Sequence, residues 1–329
     1  MMVKGRTIDD EKIDTSLLHN GKPRSFPNLT GIRGIASLWV LFHHLRGTSG
    51  IFGTNSDIAL IPFLWEGWTG VDLFFILSGF ILMHAHWADF ARKPADALPS
   101  FFRSRFLRVY PISAVVLLLI LALVTVDTGF ADRYRQMDHG NLSLEAFLRT
   151  LTLSSRWWPS QGEWNEPIWS LSAEIIGYVA FPILAVALIR VRASRAALAM
   201  SVSALILLSL FLAMRHEFGT NVLGGAPSVF RMGTEFFAGM ALYRFRQLAP
   251  CWTPNRARLG AYTATAVIAL LTILPLGAGF MPFAFAALIL ALSYRGSGLI
   301  DRALESRPAL WLGCISFPLY LVHLIPMQW

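Results

Sequence analysis

Two cysteines, Cys251 and Cys314, serve 329 residues, too few for a disulfide framework. Charge is also scarce. Asp, Glu, Lys and Arg make up 15% of the chain, where a soluble domain carries roughly 25%. No cluster has metal-ligand spacing, no Gly-rich loop is built to cradle phosphate, and no G-x-S-x-G elbow marks a serine hydrolase. Neither a metal nor a permanently bound cofactor is therefore expected. Residues 1–30 lack the apolar core and cleavage site of a signal peptide and read as a polar tail.

What the chain does have is hydrophobic length. It is 55% hydrophobic with a mean hydropathy of +0.53. The apolar residues fall in runs of about twenty, enough to cross ~30 Å of hydrocarbon. The clearest are Val109–Phe130, Ile168–Ile189, Ala196–Met214, Leu259–Leu276 and Met281–Ser293; weaker ones are Gly31–Phe52, Trp68–Trp87, Ser228–Tyr243 and Ala309–Trp329. The expectation is an all-α, polytopic helical membrane protein with nine crossings. Asn141–Ser155 has helical apolar spacing but is too short and polar to span, so an interfacial or re-entrant helix is expected there. Four tryptophans follow between Trp157 and Trp169. They suit either an aromatic belt at the membrane surface or a platform for a sugar-like acceptor.

The net charge of +8 would suit nucleic acid, but its placement argues for topology. With a cytoplasmic N-terminus and sides alternating at each span, inner segments hold twenty of the 28 Lys and Arg residues and outer segments six. That is the positive-inside bias, and nucleic acid drops out as a partner. Residues 1–30 then form a cytoplasmic tail, and 31–329 a single membrane domain.

Arg33 and His44 share the first span. Eleven steps at about 100° each bring them within roughly 20° of one face, about 16 Å apart along the axis. His43 points about 100° away from His44, so only His44 joins the Arg33 stripe. A central Arg costs about 2.5–3.5 kcal/mol on insertion scales, so this stripe is expected to line a polar cavity. Histidine is also the side chain whose ordinary pKa suits proton transfer. Asp72, at the start of the second span, is a site candidate as an intramembrane acid. Ser78 and Gly79 interrupt the same span and suit close helix approach. Arg105 and Arg108 share a helical face, with Arg103 close by, and such guanidiniums can clamp phosphates. Glu174 shares a face with Ser170 one turn into a span and must pair or be protonated. Arg231 and Glu235, at i, i+4, read as a structural ion pair.

Six segments, taken in order, resemble the membrane-bound acyltransferase family 3. They are LTGIRGIASLWVLFHH (Leu29–His44), GVDLFFILSGFIL (Gly70–Leu82), RFLRVYP (Arg105–Pro111), WSLSAEIIGYVAFP (Trp169–Pro182), FFAGMALY (Phe236–Tyr243) and LGCISFPLYLVH (Leu312–His323). The family's Arg-X10-His motif falls on Arg33 and His44, its R-x-x-R on Arg105 and Arg108, and its W-S-L-x-x-E on Trp169–Leu171 and Glu174. The resemblance implies a multi-pass protein of the cytoplasmic membrane that moves an acyl group, usually acetyl. The donor would be cytoplasmic acyl-CoA, a substrate and not a resident cofactor. The acceptor would be a hydroxyl on a saccharide, a lipid-linked glycan or another envelope molecule. The phosphates of the acyl-CoA donor would meet Arg103, Arg105 and Arg108. His44 would act as general base or transient acyl carrier, its tautomer held by Glu174 or Asp72, with Ser78, Trp169 and Ser170 in support. Family members usually have about ten spans. Only six residues follow His323 here, so a last span is expected to be lacking. The rival reading is a transporter or flippase using the same buried stripe to move an intact solute.

Overall fold

The computed structural model describes residues 18–19, 22–23, 25–48, 61–135, 141–157, 162–217, 225–274, 277–294 and 296–328. Apart from a two-residue antiparallel pair, Leu18–His19 with Lys22–Pro23, its regular structure is helical. In chain order the α-helices are α1 (Pro27–Thr48), α2 (Ile61–Trp65), α3 (Gly70–Arg92), α4 (Pro94–Val126), α5 (Thr128–Arg135), α6 (Leu144–Leu151) and α7 (Ile168–Ile189). They continue with α8 (Ser194–Glu217), α9 (Gly225–Leu248), α10 (Pro254–Leu271), α11 (Met281–Leu292), α12 (Leu299–Leu304) and α13 (Arg307–Val322).

Each of the nine expected segments corresponds to a helix: α1, α3, α4, α7, α8, α9, α10, α11 and α13. Among the described residues, four stretches, Pro62–Arg92, Pro94–Val126, Ile168–Ile189 and Ser194–Met214, are long and apolar enough to cross a bilayer; Gly277–Leu292 and Arg307–Val322 are apolar but shorter. Large apolar side chains such as Val115, Leu118, Ile183 and Leu207 face outward, as lipid-facing surfaces require. The boundaries differ from the expected ones where polar residues continue a helix. α1 begins at Pro27 rather than Gly31, because proline at a helix start forfeits no hydrogen bond. α4 is 33 residues long, ~50 Å at 1.5 Å per residue. Arg103, Arg105 and Arg108 therefore lie inside this helix, ahead of its apolar part. The run expected to continue to Phe130 breaks at Asp127, whose carboxylate accepts the Phe130 N–H at 3.0 Å and starts α5.

Two parallel helix pairs set the core. α3 and α9 touch from Asp72–Arg231 to His84–Tyr243, both contacts having a sequence offset of 159. Between them, a Cβ on Gly79 would lie 1.9 Å from the Phe236 carbonyl oxygen, and one on Gly239 1.9 Å from that of Ile76. α1 and α13 approach in the same way: a Cβ on Gly313 would lie 2.0 Å from the Thr30 oxygen, and one on Gly34 2.8 Å from the Gly313 nitrogen. Lipid supplies no hydrophobic drive between helices, so backbone proximity of this kind carries the association. As second and sixth, and first and ninth, of an alternating series, the members of each pair should run parallel, and they do.

Residues 141–157 and 162–167 tie the ends of α7 and α13 together. α6 is only the central part of the expected Asn141–Ser155 helix, capped by Ser143, whose hydroxyl accepts the Ala146 N–H at 3.1 Å. It leaves Leu144 and Leu148 exposed on one face, as an interfacial helix would. The tryptophans here are engaged structurally. The Trp157 indole N–H reaches the Ser172 oxygen at 3.0 Å, and that of Trp164 the Ser143 oxygen at 2.8 Å; Trp158 lies outside the described residues. The Asn165 amide donates to the Leu321 oxygen at 3.1 Å, fixing the end of α13. Arg156 and Glu163 form a buried two-pronged pair, Nη2 to Oε2 at 3.0 Å and Nε to Oε1 at 2.8 Å. Burial pushes the Glu163 carboxyl up to about 7, with Arg156 pulling against it.

Two predictions follow from these contacts. Gly79→Ala and Gly239→Ala should force α3 and α9 apart and destabilise the detergent-solubilised protein by about 1–3 kcal/mol, the usual cost of overpacking. Gly233→Ala, where a Cβ meets nothing within 4 Å, should be neutral or slightly stabilising. Thermal unfolding followed by size-exclusion recovery reads both, and equal behaviour of Gly239→Ala and Gly233→Ala would refute the packing argument. For Glu163, the folded-state pKa lies above its ordinary 4.5. The fold therefore favours the neutral acid, and this contribution, full below 4.5, is lost as pH rises through about 7. The melting temperature should fall across that window, and Glu163→Gln should flatten the fall; an unchanged slope in Glu163→Gln would count against it.

Candidate active site

A cavity of about 290 Å³ opens between α1, α3, α4, α7 and α13. Its polar lining is Arg33, Ser78, Arg105, Arg108, Ser170, Glu174, Tyr178, Ser316 and Tyr320, and its apolar wall includes Val71, Phe74, Phe75, Leu77 and Ile81. Six residues singled out from the sequence thus converge on one space: Arg33, Ser78, Arg105, Arg108, Ser170 and Glu174. Their convergence needs four helices, α1, α3, α4 and α7, spread over more than 140 residues of chain from Arg33 to Glu174. Local geometry explains the outlier among the arginines. Arg105 and Arg108 are three residues apart and share a face, while Arg103 sits about 200° round the helix from Arg105 and is exposed away from the cavity lining.

Three guanidiniums face one carboxylate here. Arg33 lies within electrostatic range of Arg108, Glu174 and Tyr178. The Ser78 hydroxyl donates to Glu174, giving Ser78 a polar task beyond the close packing that Gly79 performs. At the far end of the cavity the Ser170 and Tyr320 hydroxyls are 2.9 Å apart. The Tyr320 ring then lies 5.8 Å from that of His323, which in turn contacts His44 at 3.3 Å.

His44 itself does not line the cavity. It lies beyond Tyr320, its Nδ1 2.9 Å from the Val40 carbonyl oxygen. His43 turns elsewhere, with its Nδ1 3.3 Å from the Leu64 oxygen, so the two adjacent histidines have different neighbours, as their angular separation requires. The acids expected to orient His44 are committed to other partners. Glu174 accepts from Ser78, and the Asp72 carboxylate takes the Arg231 Nε–H at 2.6 Å.

Asp72 belongs to a dry cluster apart from the cavity. Arg231 and Asp72 have side-chain exposures of 0% and 1%, and Glu235 lies 3.8 Å from the Arg231 Nε. The guanidinium also sits 4.8 Å from the Trp68 ring centre and 5.9 Å from that of Trp169. Arg231 is thus shared between α3 and its own helix, where i, i+4 spacing alone suggested only Glu235. Trp169 walls this cluster and does not appear in the cavity lining. Removing one partner of such a buried pair strands a charge, which is why it is costly.

Tyr178, Tyr320 and His323 escaped the reading of individual residues. His323 had a usable signal: it is an ionisable side chain inside an apolar run, the same criterion that selects His44. Among the described residues, no group of three or more His, Cys, Asp or Glu side chains is placed to hold a metal ion.

The family described as an acyltransferase domain matches residues 26–329. YrhL of Bacillus subtilis, provisionally named a peptidoglycan O-acetyltransferase, is 27% identical over 338 residues, covering 91% of this chain and 48% of its own length. Acyltransferase MdmB of Streptomyces mycarofaciens is 29% identical over 160 residues, 48% of this chain and 38% of MdmB. Protein 2 in the picA locus of Rhizobium radiobacter is 30% identical over 167 residues, 47% of this chain and 79% of that protein. The match thus spans about half or less of YrhL and MdmB. No solved structure matches the chain.

Proposed function

The chain belongs to the acyltransferase domain family, and from that premise we propose that it transfers an acyl group, acetyl in the simplest case, from acyl-CoA to a saccharide hydroxyl of the cell envelope. The observation that carries this reading is the cavity: three arginines at one end and, through Ser170 and Tyr320, two histidines beyond the other. A thioester donor has the matching polarity, with phosphates at one end of a long uncharged arm. The name of YrhL, which is an O-acetyltransferase name, supports an oxygen acceptor.

In this proposal the N-terminus is cytoplasmic, following the positive-inside bias. Acyl-CoA enters from that side. Arg105 and Arg108 take its phosphates, with Arg33 deeper, through the bidentate contacts that guanidinium favours. The volume, about 290 Å³, suits the arm and not the nucleotide, so the charged head stays at the mouth. Glu174 offsets part of the arginine charge and orients Ser78. The thioester lies toward Tyr320. His44 accepts the proton of the acceptor hydroxyl, whose oxygen forms a bond to the thioester carbon. The carbon–sulfur bond breaks, and the leaving thiolate recovers the proton from His44. The products are an ester and free CoA thiol.

Membranes carrying the full chain and labelled acetyl-CoA provide the test. His44→Ala should cut label transfer and thiol release at least ~10²-fold, the lower bound for a positioned base. His43→Ala should stay within a few-fold of the parent. Transfer persisting in His44→Ala membranes would refute the assignment, and solute movement without thiol release would point to a transporter. Arg105→Ala and Arg108→Ala should each raise the KM for acetyl-CoA about tenfold, as loss of a charge-assisted hydrogen bond implies, with kcat little changed. A fall in kcat at constant KM would remove them from phosphate binding.

A further inference from the structure

His323 stands at the end of α13 with its two ring nitrogens doing different work. Nδ1 lies 2.6 Å from the Tyr320 carbonyl oxygen. A carbonyl only accepts, so Nδ1 carries the hydrogen. A neutral imidazole has a single N–H, which leaves the His323 lone pair on Nε2. That Nε2 is 3.3 Å from Nδ1 of His44, so His44 is the donor in this contact. The same His44 Nδ1 is 2.9 Å from the Val40 carbonyl oxygen, a second acceptor. Two independent contacts thus place the His44 hydrogen on Nδ1 and its lone pair on Nε2.

The backbone makes this pairing reproducible. α1 and α13 touch at Gly34 and Gly313, and ten residues further along each helix, about 15 Å, stand His44 and His323. The sequence offset at the histidines, 279, is the one at the glycines, so the helices have kept register between the two contacts. The Asn165 amide holds the Leu321 oxygen at 3.1 Å and pins the same turn from the other side.

We infer that His323 is a positioning residue for acyl transfer, accepting a hydrogen bond from His44 Nδ1 and so presenting Nε2 as the base. Backbone carbonyl, His323 and His44 form a chain in which a neutral imidazole fills the place that a carboxylate takes in many triads. The substitution has a physical reason. When His44 takes the acceptor proton, its Nδ1–H becomes a charged donor and its hydrogen bond to His323 strengthens. Glu174 and Asp72 are held by Ser78 and Arg231.

This inference rests on His44 being the base, and the test separates the two. With the full chain in detergent and acetyl-CoA as donor, thiol release is measured for His44→Ala, His323→Leu, His323→Phe and His323→Gln. Leu and Phe have no acceptor, and each should lower kcat about 10- to 100-fold, part of the ~10²–10⁴ that a positioned base supplies, with the KM for acetyl-CoA within about twofold. The carbonyl of Gln can accept the same hydrogen bond, and His323→Gln should recover most of the lost kcat. Leu and Phe differ in shape, so a variant that fails to accumulate leaves the other to be read. A kcat near the parent's in His323→Leu or His323→Phe overturns the inference. So does a loss of equal size in His323→Gln, which would show that His323 serves packing alone. Activity retained by His44→Ala would instead overturn the base assignment; His44→Ala inactive beside a normal His323→Leu would overturn only the role of His323.

Discussion

An ionised side chain inside a bilayer has no water to solvate it, so it must find its solvation in the protein. This bundle meets that constraint in two ways, and its architecture follows from them. Around Arg231 the answer is a dry pair: Asp72 supplies the counter-charge and the Trp68 ring a π face. Around Arg33, Arg105 and Arg108 the answer is a cavity, where three cations face Glu174. The first arrangement neutralises itself and locks α3 to α9. The second leaves an excess of positive charge around an open space, which suits an anionic ligand.

Both arrangements depend on helices approaching more closely than bulky side chains permit. The glycines at 79 and 239 bring α3 and α9 into backbone contact, and those at 34 and 313 do the same for α1 and α13. A side chain at any of these four positions would widen the separation on which the Asp72–Arg231 and His44–His323 contacts rely. The described residues between 141 and 167 add a third restraint. Ser172 and Leu321, on two of the five helices that line the cavity, are both tied to these residues by hydrogen bonds.

Much of this was legible in the chain. The nine apolar segments emerge as nine helices, with ends misjudged where Pro27 or the arginines of α4 continued a helix past its apolar part. Angular arithmetic separated His44 from His43 and put Arg105 and Arg108 on one face, and their neighbours in the fold agree with it. The same arithmetic would have set Arg103 aside, had proximity in the chain not kept it with the other two. Partner choice was less legible. Asp72 and Glu174 looked like candidates to orient His44, but periodicity describes only one helix at a time and says nothing of what stands opposite.

Hydrophobic length, charge placement and helical spacing belong to the chain itself, because each is a property of a local segment in its solvent. They determined a helical membrane protein, its apolar segments and the faces that bear polar groups. Which faces meet is a matter of distances between segments 96 to 279 residues apart in the chain, set by backbone contact at a few glycines. Only the tertiary structure could therefore give Asp72 to Arg231, Glu174 to Ser78, and His323 to His44.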